Sequence, residues 1–206
     1  LLPNGHVELL IGDVTGHGVS SALLMAMAKT AMYYSAEYDP DILSALRRLN
    51  RLIVRLLQGE KRMTFFLCHL DPVLHRLKFC NAGHPYPVIC SADGAIRELE
   101  LDHFPLGTHL KDRLKLMECG MEKGETLVMF TDGFFESCNT NGEEYGFDRF
   151  FRKISEARFL PAARMREALL DDWRAFVGSM SQPDDLTLVI LKRPAGPADS
   201  LEGKSV

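Results

Sequence analysis

No two cysteines in this sequence are spaced C-x-x-C, and the five present (Cys68, Cys80, Cys90, Cys119 and Cys138) are scattered and odd in number. This excludes a zinc ribbon and a disulfide framework, and it fits reduced, mostly buried thiols in a cytosolic protein. None of them opens a C-x5-R loop, so a thiolate phosphatase is not supported. The seven histidines contain no H-E-x-x-H pair, and neither G-x-G-x-x-G nor Gly-Lys-Ser/Thr occurs, which removes the dinucleotide and P-loop readings. The net charge is −4 and the isoelectric point about 6.0. With no run of Arg or Lys, nucleic acid is not an expected partner. No apolar stretch reaches membrane-spanning length and no secretory signal is visible at the start, so a cytoplasmic location without membrane contact is expected.

What is present is ordinary for one globular domain: 206 residues, 46% hydrophobic and 25% charged. Residues 1–193 are expected to form that domain. Residues 194–206, PAGPADSLEGKSV, have the composition of a flexible tail.

The organising stretch is VELLIGDVTGHGVSSALLMAMAKTAMYY, residues 7–34. An apolar strand, residues 7–11, delivers Asp13 into a turn holding Gly12, Gly16 and Gly18, and a helix over 19–37 follows. Leu23, Met27, Thr30, Ala31 and Tyr34 recur at helical spacing, Thr15 or Ser20 is the expected cap, and Met25, Met27 and Met32 are read as core. Taken alone, this is equally a plain strand–turn–helix with Asp13 as a turn residue.

The rest of the chain adds two more acidic turns beside apolar strands. A helix is expected over 41–57, then strands over 63–70, 75–80, 87–90 and 95–101, with a loop beginning at Asn81. A strand follows at 114–118. The strand over 126–130, TLVMF, ends in Thr131-Asp132-Gly133, followed by Glu136. Helices are expected over 148–157 and 162–177, and a last strand over 186–192 follows Asp184-Asp185. Hairpin-type links dominate, so the fold class is α+β, with antiparallel sheets and helices packed outside. In antiparallel neighbours the start of one strand lies beside the end of the next, so Asp13, Asp132 and Asp184 are expected at one sheet end. Crowded carboxylates raise one another's pKa, a divalent cation relieves that repulsion, and oxygen-only ligands favour Mg²⁺ or Mn²⁺ over zinc.

Five motifs in order, GDVTGHGVSSALLMA, NAGHPYPVI, FPLG, FTDGFFES and PDDLTLVIL, resemble the SpoIIE/RsbU-type branch of the metal-dependent PPM (PP2C-like) serine/threonine phosphatases. The resemblance covers residues 7–191. It implies an αββα sandwich, two Mn²⁺ or Mg²⁺ ions and a phosphorylated protein substrate, in this branch often a STAS-domain anti-sigma-factor antagonist. By the same resemblance Asp13 bridges the metals, the Val14 carbonyl binds one, and Asp132 and Asp184 complete the site. Asp185 is the lesser member of its pair. Gly12 and Gly133 flank the carboxylates, His17 either contacts a phosphate or holds the turn, and Asn81 and His84 shape the site.

The family carries a further acidic ligand on a strand before the Leu-Pro-Asn-Gly turn, and this sequence opens at that turn. A partner strand and a ligand are therefore expected upstream, with a sensor or receiver domain. The chain as given is expected to be weakly active, with an open edge that permits a dimer. The competing expectation is a partner-binding module of the same fold that has lost its chemistry. A hydrolase for a small phosphorylated metabolite finds no sugar- or nucleotide-specific motif.

Overall fold

The structure is a computed structural model, and it describes residues 1–108, 113–180 and 184–194. Residues 195–206 of the tail expected over 194–206, and Pro183 of the last motif, lie outside the described residues. In chain order the elements are β1 (Val7–Val14), α1 (Val19–Tyr38), α2 (Ile42–Leu57), β2 (Met63–Asp71), β3 (Arg76–Ala82), β4 (Val88–Cys90), β5 (Ile96–Glu98), β6 (Met117–Gly120), β7 (Thr126–Phe130), α3 (Phe147–Glu156), α4 (Ala162–Val177) and β8 (Leu188–Lys192). All strand pairings are antiparallel, in sheets ordered β1-β2-β3-β6 and β5-β4-β7-β8. The α+β class is as expected.

The chain divides into two compact units. The first comprises Leu1–His84 and Leu101–Gly120 and the second Pro85–Glu100 with Met121 onward. In the first unit β1 lies at the sheet edge and pairs with β2 over its whole length, with Asp13 opposite Thr64 and Val14 opposite Met63. Leu46, Leu49 and Ile53 of α2 and Leu24, Ala28 and Met32 of α1 form one core with Phe65, Leu67 and Cys80. The α2 helix is started by Asp41, whose Oδ1 accepts from the Ser44 N–H at 2.8 Å. In the second unit Phe130 and Phe134 pack on Phe150, Ile154, Leu169 and Trp173 of α3 and α4. Tyr145 donates to Asp172 Oδ2 at 2.7 Å, and Arg149 Nε donates to the same oxygen at 2.9 Å, tying the α3 entry to α4.

Several expectations need correction. The α1 helix has no side-chain cap: its N-cap is Gly18, and Thr15 Oγ1 instead accepts from the Arg62 N–H at 3.1 Å. Its inward face is Ser21, Leu24, Ala28, Met32 and Ser35, whereas Leu23 and Tyr34 are 60% and 64% exposed. Met32 alone of the three methionines is fully buried. This helix carries apolar residues on every side, so periodicity does not select the side that meets the sheet. Strand β6 begins three residues later than expected, and β3 runs two residues further, taking Asn81 into the ladder opposite Phe66. Among the described residues no helix is long and apolar enough to cross a membrane.

Candidate functional site

The three aspartates do not share one sheet end as expected: Asp13 belongs to β1 of the first sheet, whereas Asp132 follows β7 and Asp184 precedes β8 in the second, because β1 pairs with β2 and not with either of those strands. In the first unit Asp13 is the penultimate residue of β1, half-buried, rather than a member of the turn. The backbone at Gly12 has no room for a side chain: a Cβ there would lie 2.6 Å from Phe65 Cδ2 and 2.8 Å from the Thr64 carbonyl oxygen. Glycine therefore lets β1 press onto β2 immediately before the carboxylate. His17 is exposed in the turn that follows.

Asn81 and His84 brace one another in the same unit. Asn81 Nδ2 donates to the His84 carbonyl at 2.8 Å, and Asn81 Oδ1 accepts from the His84 N–H at 2.8 Å. The His84 ring shares a 2.9 Å hydrogen bond with Oγ1 of Thr64, the partner of Asp13 in the ladder. Both residues are buried.

In the second unit Thr131, the residue after β7, joins the two acidic turns. Its N–H donates to the Thr187 carbonyl at 3.1 Å, while its Oγ1 donates to the Asp185 carbonyl at 3.0 Å and accepts from the Thr187 N–H at 2.9 Å. The Asp132–Gly133 backbone lies so near the Asp185 carbonyl that a Cβ on Gly133 would approach it to 2.7 Å. Asp184 Oδ1 accepts from the Asp185 N–H at 2.7 Å. Asp185 thus engages its surroundings through main-chain groups.

The charges of the two acidic turns in this unit reach Glu136. Although the residue is exposed overall, local desolvation pushes its carboxyl above the usual range, and the charges of Asp132, Asp184 and Glu144 add to the rise. Because the folded value is raised, protonated Glu136 favours the fold below the unfolded carboxylate value of about 4.3. That advantage is lost as pH rises through the folded value. Glu136→Gln is therefore expected to raise the melting temperature of the metal-free chain at neutral pH, with the gain vanishing in acid. A pH-independent difference in thermal melts would refute this assignment.

Among the described residues no group of three or more His, Cys, Asp or Glu side chains is arranged to hold a metal ion. The donor chemistry nonetheless fits a hard divalent cation: Asp132, Asp184 and Glu136 offer oxygen only, and their repulsion is what such a cation relieves. Residues that sequence reasoning missed are Thr131, Thr64 and Lys61. Thr131 was visible in the FTDG motif as the residue before the acid, whereas the other two carried no signal of their own.

The chain is 27% identical over 188 residues to the phosphoserine phosphatase RsbU of Bacillus subtilis (strain 168), an alignment that covers 91% of this chain and 56% of that protein. The chain thus spans about half the length of that relative. Among solved structures, the SiaA-PP2C domain of Pseudomonas aeruginosa superposes with a TM-score of 0.78 at 23% identity, over 91% of this chain and 79% of that one. The RsbU and RsbW domains of Rv1364c from Mycobacterium tuberculosis also give 0.78, at 26% identity, over 92% and 53%. The shared fold is that of PP2C-type domains. Residues 3–194 match the family described as Stage II sporulation protein E, so the chain belongs to the SpoIIE family.

Proposed function

We propose that this chain is a metal-dependent protein serine/threonine phosphatase acting on phosphoserine or phosphothreonine of a regulatory protein, with a phosphorylated STAS-domain protein as the first candidate. The observation that carries the reading is the set of carboxylates at strand ends in a member of this family, above all the crowding of Asp132 and Asp184 around Glu136. The similarity to a phosphoserine phosphatase supports the choice of substrate.

In this reading Asp13, the Val14 carbonyl, Asp132 and Asp184 are the oxygen ligands of Mn²⁺ or Mg²⁺. When bound, such ions supply Lewis acidity toward the phosphoryl oxygens and acidify the attacking water. The residues around the carboxylates hold them in place. Gly12 seats Asp13 against β2, and Thr131 fixes Asp132 beside the Asp184–Asp185 turn. Preset carboxylates would hold the cation without rearrangement at each turnover.

The test is hydrolysis of p-nitrophenyl phosphate with Mn²⁺, followed by release of phosphate from a phosphoserine-bearing STAS protein. Turnover of both is expected. Binding of the phosphoprotein without turnover of either would instead assign the chain as a partner-binding module that has lost its chemistry.

A further inference from the structure

The turn after Asp13 is held by a cation from a distant part of the chain. Thr15 is fixed by main-chain and hydroxyl bonds to Arg62, with its N–H donating to the Arg62 carbonyl at 3.0 Å. Beyond it, residues 16–18 pass into α1 without a side-chain cap, and the first turn of α1 holds no acidic residue. Lys61 fills this gap. Its Nζ donates to the Thr15 carbonyl at 2.9 Å and to Ser21 Oγ at 2.8 Å, and Ser21 Oγ donates in turn to the Gly16 carbonyl at 2.9 Å. Ser21 is buried. One ammonium group thus joins the end of the Asp13 strand, the glycine turn and the first turn of α1.

Local electrostatics do not favour this placement. A helix N-terminus attracts anions and disfavours cations, so a lysine there needs a compensating reason. The hydrogen bonds supply one, because bonds from a charged donor are roughly twice as strong as neutral ones. Position supplies another: the carbonyl that Lys61 holds belongs to the residue directly after Val14, and two after Asp13. Gly16 adopts φ +77°, and a Cβ there would lie 3.4 Å from Lys61 Nζ, so the ammonium follows the backbone closely.

We infer that Lys61 is a positioning residue, which sets the Asp13 carboxylate and the Val14 carbonyl by tying the turn between β1 and α1 into one hydrogen-bonded unit. The inference rests on the metal-dependent phosphatase reading for its consequence in catalysis, but not for its consequence in structure.

The experiment compares the full chain with Lys61→Met, Lys61→Arg and Ser21→Ala. Hydrogen exchange of the amides of residues 15–22 is followed without metal, and activity on p-nitrophenyl phosphate is titrated with Mn²⁺. Lys61→Met is expected to speed exchange in 15–22 about tenfold, with β2 and α2 unaffected. It should also raise the Mn²⁺ needed for half-maximal activity by about tenfold or more, with the KM at saturating Mn²⁺ little changed. Ser21→Ala should give a smaller change of the same kind, and Lys61→Arg should recover most of both. Unchanged exchange in 15–22 together with an unchanged Mn²⁺ requirement would overturn the inference. So would a rise spread equally over the whole chain, which marks a purely structural lysine. If the unaltered chain shows no hydrolysis, the phosphatase reading fails, and the exchange measurement alone decides whether Lys61 fixes the turn.

Discussion

Asp132→Asn and Asp184→Asn are each expected to lower kcat/KM by more than about a hundredfold while leaving the fold intact. Loss of a group that merely supports a metal ligand costs about 10–100-fold, so loss of a ligand should cost more. The fold should survive because neither side chain is part of the apolar core built by Phe130, Phe134, Phe150 and Trp173. Both carboxylates also raise the neighbouring Glu136 through their charge, so neutralising either removes repulsion, and the metal-free melting temperature should stay level or rise. Asp13→Asn should behave alike in activity. Asp185→Asn should be milder, since Asp185 acts through its carbonyl, which accepts from Thr131, and its N–H, which donates to Asp184. Steady-state assays paired with thermal melts check this. A dead Asp185→Asn beside an active Asp184→Asn would reverse the assignment within the pair.

The second large effect is expected from reagents. EDTA should reduce phosphatase activity by about a hundredfold or more, with recovery on adding Mn²⁺ or Mg²⁺, while iodoacetamide should leave most of it. The thiols are poor targets for a physical reason. Cys68, Cys80 and Cys90 are buried, and burial pushes the Cys80 thiol up to about 12, with Cys68 and Cys90 also raised. Only the thiolate reacts, so these side chains stay inert near neutral pH. Cys119 and Cys138 are partly accessible, but no step of the proposed reaction uses a thiol. Inactivation by iodoacetamide with resistance to EDTA would exclude a carboxylate-held cation.

How much was legible varied with the local signal. The α4 helix has the expected bounds, Ala162–Val177, because its apolar residues recur at helical spacing between Pro161 and Gly178. Strand β7 matches for a different reason: TLVMF is a continuous apolar run, and all five residues are buried. The α2 helix starts one residue after the expected Asp41, which is its N-cap. The inward face of α1 was not legible, since Leu23 and Tyr34 are as apolar as the residues that are buried. Nor was the extension of β3 through Asn81. A polar residue before Ala82-Gly83 reads as a loop, and only its paired bonds with His84 let it lie buried.

The sequence by itself determined which carboxylates end apolar strands and which glycines accompany them, because a strand, its turn and its acid are neighbours within a few residues. It also carried the family, through motifs whose order survives at low identity. Only the tertiary structure decided what holds those acids. The bond from Lys61 to Thr15 spans 46 residues and that from Thr131 to Asp185 spans 54. Such bonds exist only once strand register has set the partners opposite each other. Register is a property of paired strands, so no local pattern along either strand contains it.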